Sequence, residues 1–213
     1  MHRRRIALTL TAAALVAASP LLAGCGADAH PGAAAVVDGD RITVSQLQEQ
    51  VRDVRDAQRE SPQADQLVKG TGRLNRATLN SMIFDKVLAR AAKDAGVSAS
   101  RADVQQARSQ AEQAAGGPAR LRDMWLQQYA IGPDQLEATL RNQVLIEGLS
   151  ARLGADRSSP EGQQKVVGAL QQASGAMQVR VNPRYGSWDD EKVLLGAVEE
   201  PWLKPAEKTP EPA

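Results

Sequence analysis

The chain has 213 residues with 26 Lys and Arg against 25 Asp and Glu, a balance that provides no basic field for nucleic acid. Its two histidines, His2 and His30, and its one cysteine, Cys25, all lie in the first 30 residues, which excludes a disulfide framework. The rest of the chain is left without a nitrogen or sulfur metal site and without a Ser/His/Asp or Cys/His nucleophile.

In chain order, Arg3, Arg4 and Arg5 precede an uncharged run from Ile6 to Ala18, followed by Ser19-Pro20 and Leu22-Ala23-Gly24-Cys25. A basic start, a short apolar run and a small-residue cleavage site make a secretory signal. The run is well short of the roughly 20 residues a membrane span needs. Ile6-Ala7-Leu8 after the arginines lacks the flanking pattern of twin-arginine export, so general secretion is expected. Leu22-Ala23-Gly24-Cys25 resembles the lipobox of bacterial lipoproteins, in which the cysteine thiol takes a diacylglycerol and the chain is cut just before it. The resemblance implies that residues 1–24 are a signal peptide and that Cys25 is the lipidation site. Acylated Cys25 then holds the protein to a lipid bilayer, on the extracytoplasmic side of a cell membrane. Without Arg3, Arg4 and Arg5 the balance becomes 23 basic against 25 acidic residues over 189 positions, enough for one domain with a sizeable core or two small ones.

Residues 25–34 are small and polar and read as a tether, with His30 a solvated side chain on it. Ala35-Val36-Val37-Asp38-Gly39-Asp40-Arg41-Ile42-Thr43 places Asp-Gly between β-branched residues, which predicts a hairpin. Two short strands need a further strand or a helix to cover them. Thr43-x-x-Gln46 predicts a capping box opening an amphipathic helix to about Glu60, with Leu47, Val51 and Val54 on its apolar face. Residues 61–72 read as a loop. Gly70-Thr71-Gly72 has no following Gly-Lys-Ser/Thr and no preceding strand, so no nucleotide site is expected.

Leu74 to Ala95 is the most apolar helix. Leu79, Met82, Ile83, Phe84, Val87, Leu88, Ala91 and Ala92 cover more than one of its faces, which puts it at the centre. Ser100-x-x-Asp103 opens a helix to about Ala115 with the small stripe Val104, Ala107, Ala111 and Ala114, and Gly116-Gly117-Pro118 breaks it. Pro118 starts a helix to Ala130 and Pro133 a longer one to Leu153. Ser159-Pro160 starts the last helix, which ends near Gly175. Met177-Gln178-Val179-Arg180-Val181 alternates like a half-buried strand and supplies the partner that the early hairpin lacks. The predicted fold is mainly α: about six helices over residues 35–190, with a small antiparallel sheet made by the N-terminal hairpin and a C-terminal strand. Residues 191–213, with Pro201, Pro205, Pro210 and Pro212, read as a mostly disordered tail.

The lipobox, the Val-Val-Asp-Gly-Asp-Arg-Ile-Thr hairpin, the apolar helix at Leu79 to Ala92, the Ala95-Gly96-Val97-Ser98 junction and a closing helix and strand occur in the order of a SurA N-terminal type chaperone domain. The stretch from Val179 to Trp188 is similar to the closing segment of lipoproteins in that group. This resemblance spans about Ala34 to Trp188. It implies a SurA/PrsA-like extracytoplasmic chaperone that binds unfolded or exported polypeptides. Relatives carry parvulin isomerase domains between the helical lobe and the closing segment. Here only Gly154 to Ala176 stands there, and it reads as a single helix without histidine. The chain is therefore expected to be no enzyme and to need no cofactor, metal, nucleotide or nucleic acid.

Asp189-Asp190-Glu191 and Glu199-Glu200 read as solvated charge runs, and Tyr185 and Trp188 as packing for the closing segment. Met124, Trp125 and Tyr129 are the candidate client-binding residues, because Met and aromatic side chains adapt to varied apolar partners. The competing expectation is a scaffold lipoprotein that docks one specific envelope protein.

Overall fold

The computed structural model describes residues 32–69 and 73–197. The segment expected to be a signal peptide, Cys25, His30, Gly70-Thr71-Gly72 and the proline-rich stretch beyond 197 lie outside the described residues.

Strands β1 (Ala33–Val37) and β2 (Asp40–Thr43) form the predicted hairpin, with Val37 opposite Asp40. Asp38 at φ 51° and Gly39 at φ 86° both take left-handed backbone, the geometry of the two-residue turn that Asp-Gly favours. The hairpin is covered by β3 (Val179–Val181), which runs antiparallel to β1 with Val37 opposite Val179 and Ala35 opposite Val181. β1 is therefore the middle strand, and all five of its residues are apolar and buried. The tether expected to reach residue 34 gives way to strand at Ala33, because Ala33 and Ala34 enter this sheet and the core beneath it.

Helix α1 (Val44–Glu60) begins at the predicted capping box: the Thr43 hydroxyl accepts from the Gln46 amide at 3.1 Å, and the Gln46 side chain accepts from the Thr43 amide at 2.8 Å. It buries Leu47, Val51 and Val54. A short helix, α2 (Ala64–Lys69), occupies part of the stretch expected to be loop. It buries none of its residues, which is why no apolar periodicity marks it.

Helix α3 (Leu74–Asp94) is the centre of the molecule. It packs against α1, β1 and two later helices, α6 (Leu136–Arg152) and α7 (Pro160–Ala176). Helices α4 (Arg101–Ala115) and α5 (Pro118–Tyr129) form a hairpin against the first half of α6. Ser100 and Asp103 cap α4 reciprocally, and Gly116 ends it at φ 83°, in the left-handed region that favours glycine. Between α6 and β3 stands only α7, entered through the Ser159 cap. The fold is thus the expected helical lobe on a three-stranded antiparallel sheet, with seven α-helices among the described residues where about six were expected.

Residues 191–197, expected to belong to the tail, complete the fold instead. β4 (Trp188–Asp189) pairs with β5 (Leu194–Leu195), Leu195 is buried, and the Leu195 amide donates to Asn80 of α3 at 2.8 Å. The expectation failed because two-residue strands are too short to show alternation, and Leu195 gains its burial from a helix more than a hundred residues away.

Candidate functional site

The three residues expected to meet client lie on one helix but do not form one surface. Trp125, 6% exposed, sits in a small core with Val104, Leu121, Leu136 and Leu140, and Met124 is half-buried against the same cluster. Only Tyr129, 65% exposed, faces solvent. The spacing of Met124, Trp125 and Tyr129 is the spacing of a helix face, and most of that face is used to hold α5 on α4 and α6.

A different surface has the geometry of a binding site. A crevice of about 660 Å³ opens among β2, α1, α3 and the beginning of α6. Its apolar part is Met82 and Phe84 of α3 together with Ile42 and Ile131. Phe84 is the chain's single phenylalanine, and like Met82 it is only half-buried. Around them stand the amides of Gln46 and Gln50 on α1, Gln135 before α6 and Asn142 on α6. Each side-chain amide offers both a donor and an acceptor.

Local folding explains why these groups converge. Gln46, Gln50 and Asp53 recur at helical spacing on α1, beside rather than within the stripe of Leu47, Val51 and Val54. The turn at 132–135 lies tightly against α1: a Cβ on Gly132 would meet the Asp53 carboxylate at 1.9 Å and the Val54 backbone nitrogen at 3.2 Å. Glycine is required there for space, since its φ of −75° suits any residue. The Asp134 amide donates to Asp53 at 3.3 Å, and Gln135 bridges from the Gly132 amide, at 3.1 Å, to Gln50, at 3.4 Å. On the opposite wall Asn142 donates to Asp85 at 2.6 Å.

Two carboxyls in this crevice are held above the ordinary carboxylate range. Burial is the main cause at Asp85, opposed by the hydrogen bond from Asn142. At Asp53 burial comes first and the neighbouring Asp134 carboxylate second, with the Asp134 amide acting the other way. The acids near the closing hairpin are structural. Asp189 is lowered by its hydrogen bonds from Lys192, and Asp190 accepts from the buried Ser174 hydroxyl. Among the described residues no three His, Cys, Asp or Glu side chains are placed to hold a metal ion.

The crevice amides and acids escaped the sequence reading because they stand on the polar sides of helices, or in the turn before α6, and meet partners distant in the chain. One signal was present. Met82 and Phe84 spread the apolar surface of α3 over more of its circumference than its core neighbours cover.

Residues 2–150 match the family described as SurA-like N-terminal domain. That match ends within α6, so α7, β3 and the closing hairpin lie beyond it, although β3 completes the sheet begun by β1. No curated protein and no solved structure matches the chain.

Proposed function

The chain belongs to the SurA-like N-terminal domain family, and from that premise we propose that it is a membrane-anchored extracytoplasmic chaperone, a holdase that binds extended segments of exported, unfolded proteins without catalysis. Membership suggests a chaperone-like role that binds polypeptides. The observation that carries the finer reading is the crevice of about 660 Å³, where half-buried Phe84 and Met82 stand among four side-chain amides. An extended client exposes backbone N–H and C=O groups whatever its sequence, and amide side chains complement both. The apolar part takes one or two client side chains, with Met adapting its shape to each. A volume of this order lies within the roughly 300–1,000 Å³ of ordinary binding clefts.

Lipid attachment at Cys25 would keep the protein on the membrane where exported chains emerge. One acyl chain binds a bilayer only marginally and a second makes attachment stable, so a diacylglycerol-bearing cysteine keeps the protein there.

The test is suppression of light scattering from a denatured, aggregating protein by the full chain. Joint replacement Met82→Ala and Phe84→Ala is expected to abolish most of the suppression, and Tyr129→Ala to leave it intact. Loss with Tyr129→Ala and retention with the Met82/Phe84 pair would move the contact to α5. In cells, Cys25→Ala is expected to remove both incorporation of labelled fatty acid and sedimentation with membranes.

A further inference from the structure

The crevice carries more negative than positive charge. Glu49 and Asp53 of α1, Asp85 of α3 and Asp134 before α6 line it, against Arg41 and Lys86. Lys86 is occupied by Asp40, at 3.1 Å. None of the four lining acids has an ion-pair partner among the described residues; Asp53 accepts only the Asp134 amide and Asp85 only the Asn142 amide. They come from three separate elements and converge on half-buried apolar surface at Met82 and Phe84.

We propose that this crevice selects extended polypeptide segments bearing lysine or arginine, with the cationic head among Asp53, Asp85 and Asp134 and its aliphatic stem over Phe84 and Met82. Long cationic side chains suit such a place, because they lay methylenes on apolar surface while the charged end seeks carboxylates or water. Hydrogen bonds from an ammonium or guanidinium to a carboxylate are about twice as strong as neutral ones. A metal ion fits less well, since the acids do not gather as a set of three ligands around one point. An acidic or neutral segment would leave the carboxylates partly desolvated and unpaired, which costs binding energy.

The inference rests on the chaperone reading above, and its test separates the two. Fluorescent peptides of one length and one apolar pattern, bearing two Lys, two Gln or two Glu, are titrated into the full chain and followed by anisotropy. The Lys peptide is expected to bind about tenfold tighter than the Gln peptide, a difference of about 1.4 kcal/mol, with the Glu peptide weakest. In the joint variant Asp53→Asn and Asp85→Asn, which keeps both side-chain acceptors, the Lys-to-Gln ratio should fall close to one. A single variant, Asp53→Asn, should lower that ratio by an intermediate amount, and unchanged circular dichroism would show that the fold persists. Equal binding of Lys and Gln peptides overturns the charge selection and leaves polypeptide binding standing. A preference that survives the joint variant overturns its assignment to the crevice. No binding of any peptide overturns both readings, and tighter binding of a peptide copying residues 198–213 gives the crevice to the chain's own tail.

Discussion

Helix α6 runs through two cores of different make. Its first half gives Leu136 and Leu140 to a small cluster with Val104, Leu121 and Trp125, padded by the half-buried alanines 107, 111 and 115 of α4. Its second half gives Leu145 and Leu149 to a large cluster that joins β1, α1, α3 and α7 and includes Leu79, Ile83, Val87 and Leu88. Both regions pack helices on one another, yet the first is small, with one indole, three leucines and one valine as its buried apolar side chains. Alanine lets α4 approach closely but contributes little transfer energy, since burial stabilises by roughly 25 cal/mol per Å² of apolar surface. Stability is therefore distributed unevenly: the α4–α5 hairpin should open at lower free energy than the sheet and α3.

The largest way to break this contrast is Trp125→Ala, which removes about 3–5 kcal/mol by the usual cost of emptying a buried aromatic site. Amides of α4 and α5 should then exchange with solvent much faster while those of β1 and α3 keep their protection. Equal loss in both regions would show a single cooperative unit. Leu149→Ala, at about 2–5 kcal/mol, is expected to do the opposite, lowering the denaturation midpoint with all probes moving together. Ser174→Ala probes the outer edge of the large core. The buried Ser174 hydroxyl accepts from the half-buried Trp188 indole at 2.8 Å and donates to Asp190, so its loss leaves the indole N–H without this acceptor. A cost of about 1–3 kcal/mol follows, seen as a lower melting temperature and a shifted Trp188 fluorescence. Thr43→Ala, which breaks the α1 capping box, should cost about 1 kcal/mol in a denaturant titration.

The smallest change has the opposite sign. Burial raises the Asp85 carboxyl above its ordinary value of 3.8, so the folded state holds this proton more tightly than the unfolded chain does. Its contribution to stability is full below the unfolded value and is lost as pH rises through the folded one. Asp85→Asn should therefore raise the melting temperature at pH 7, with the gain vanishing as pH falls to the ordinary carboxylate range.

Both the sheet closure and the helix order were legible in the residues. Asp38-Gly39 has one favoured turn, Thr43-x-x-Gln46 and Ser100-x-x-Asp103 each satisfy helix-end donors locally, and the alternation at Val179–Val181 needs a strand partner that β1 supplies. Met124 and Trp125 were misleading for a physical reason: a helix face that binds a client and one that packs on α4 and α6 have the same spacing.

Taken alone, the sequence determined where most of the helices begin, which turn joins β1 to β2 and that residues 179–181 form a strand, because caps, turns and alternation depend on neighbours within a few positions. It also carried the Leu-Ala-Gly-Cys stretch from which lipidation is inferred. Only the tertiary structure decided that Trp125 is core, that Leu195 docks beside Asn80, and that amides and acids from α1, α3, α6 and the turn before it gather around Phe84. Those outcomes depend on which helix faces meet across long stretches of chain, and packing settles that through shape and volume rather than through any local pattern.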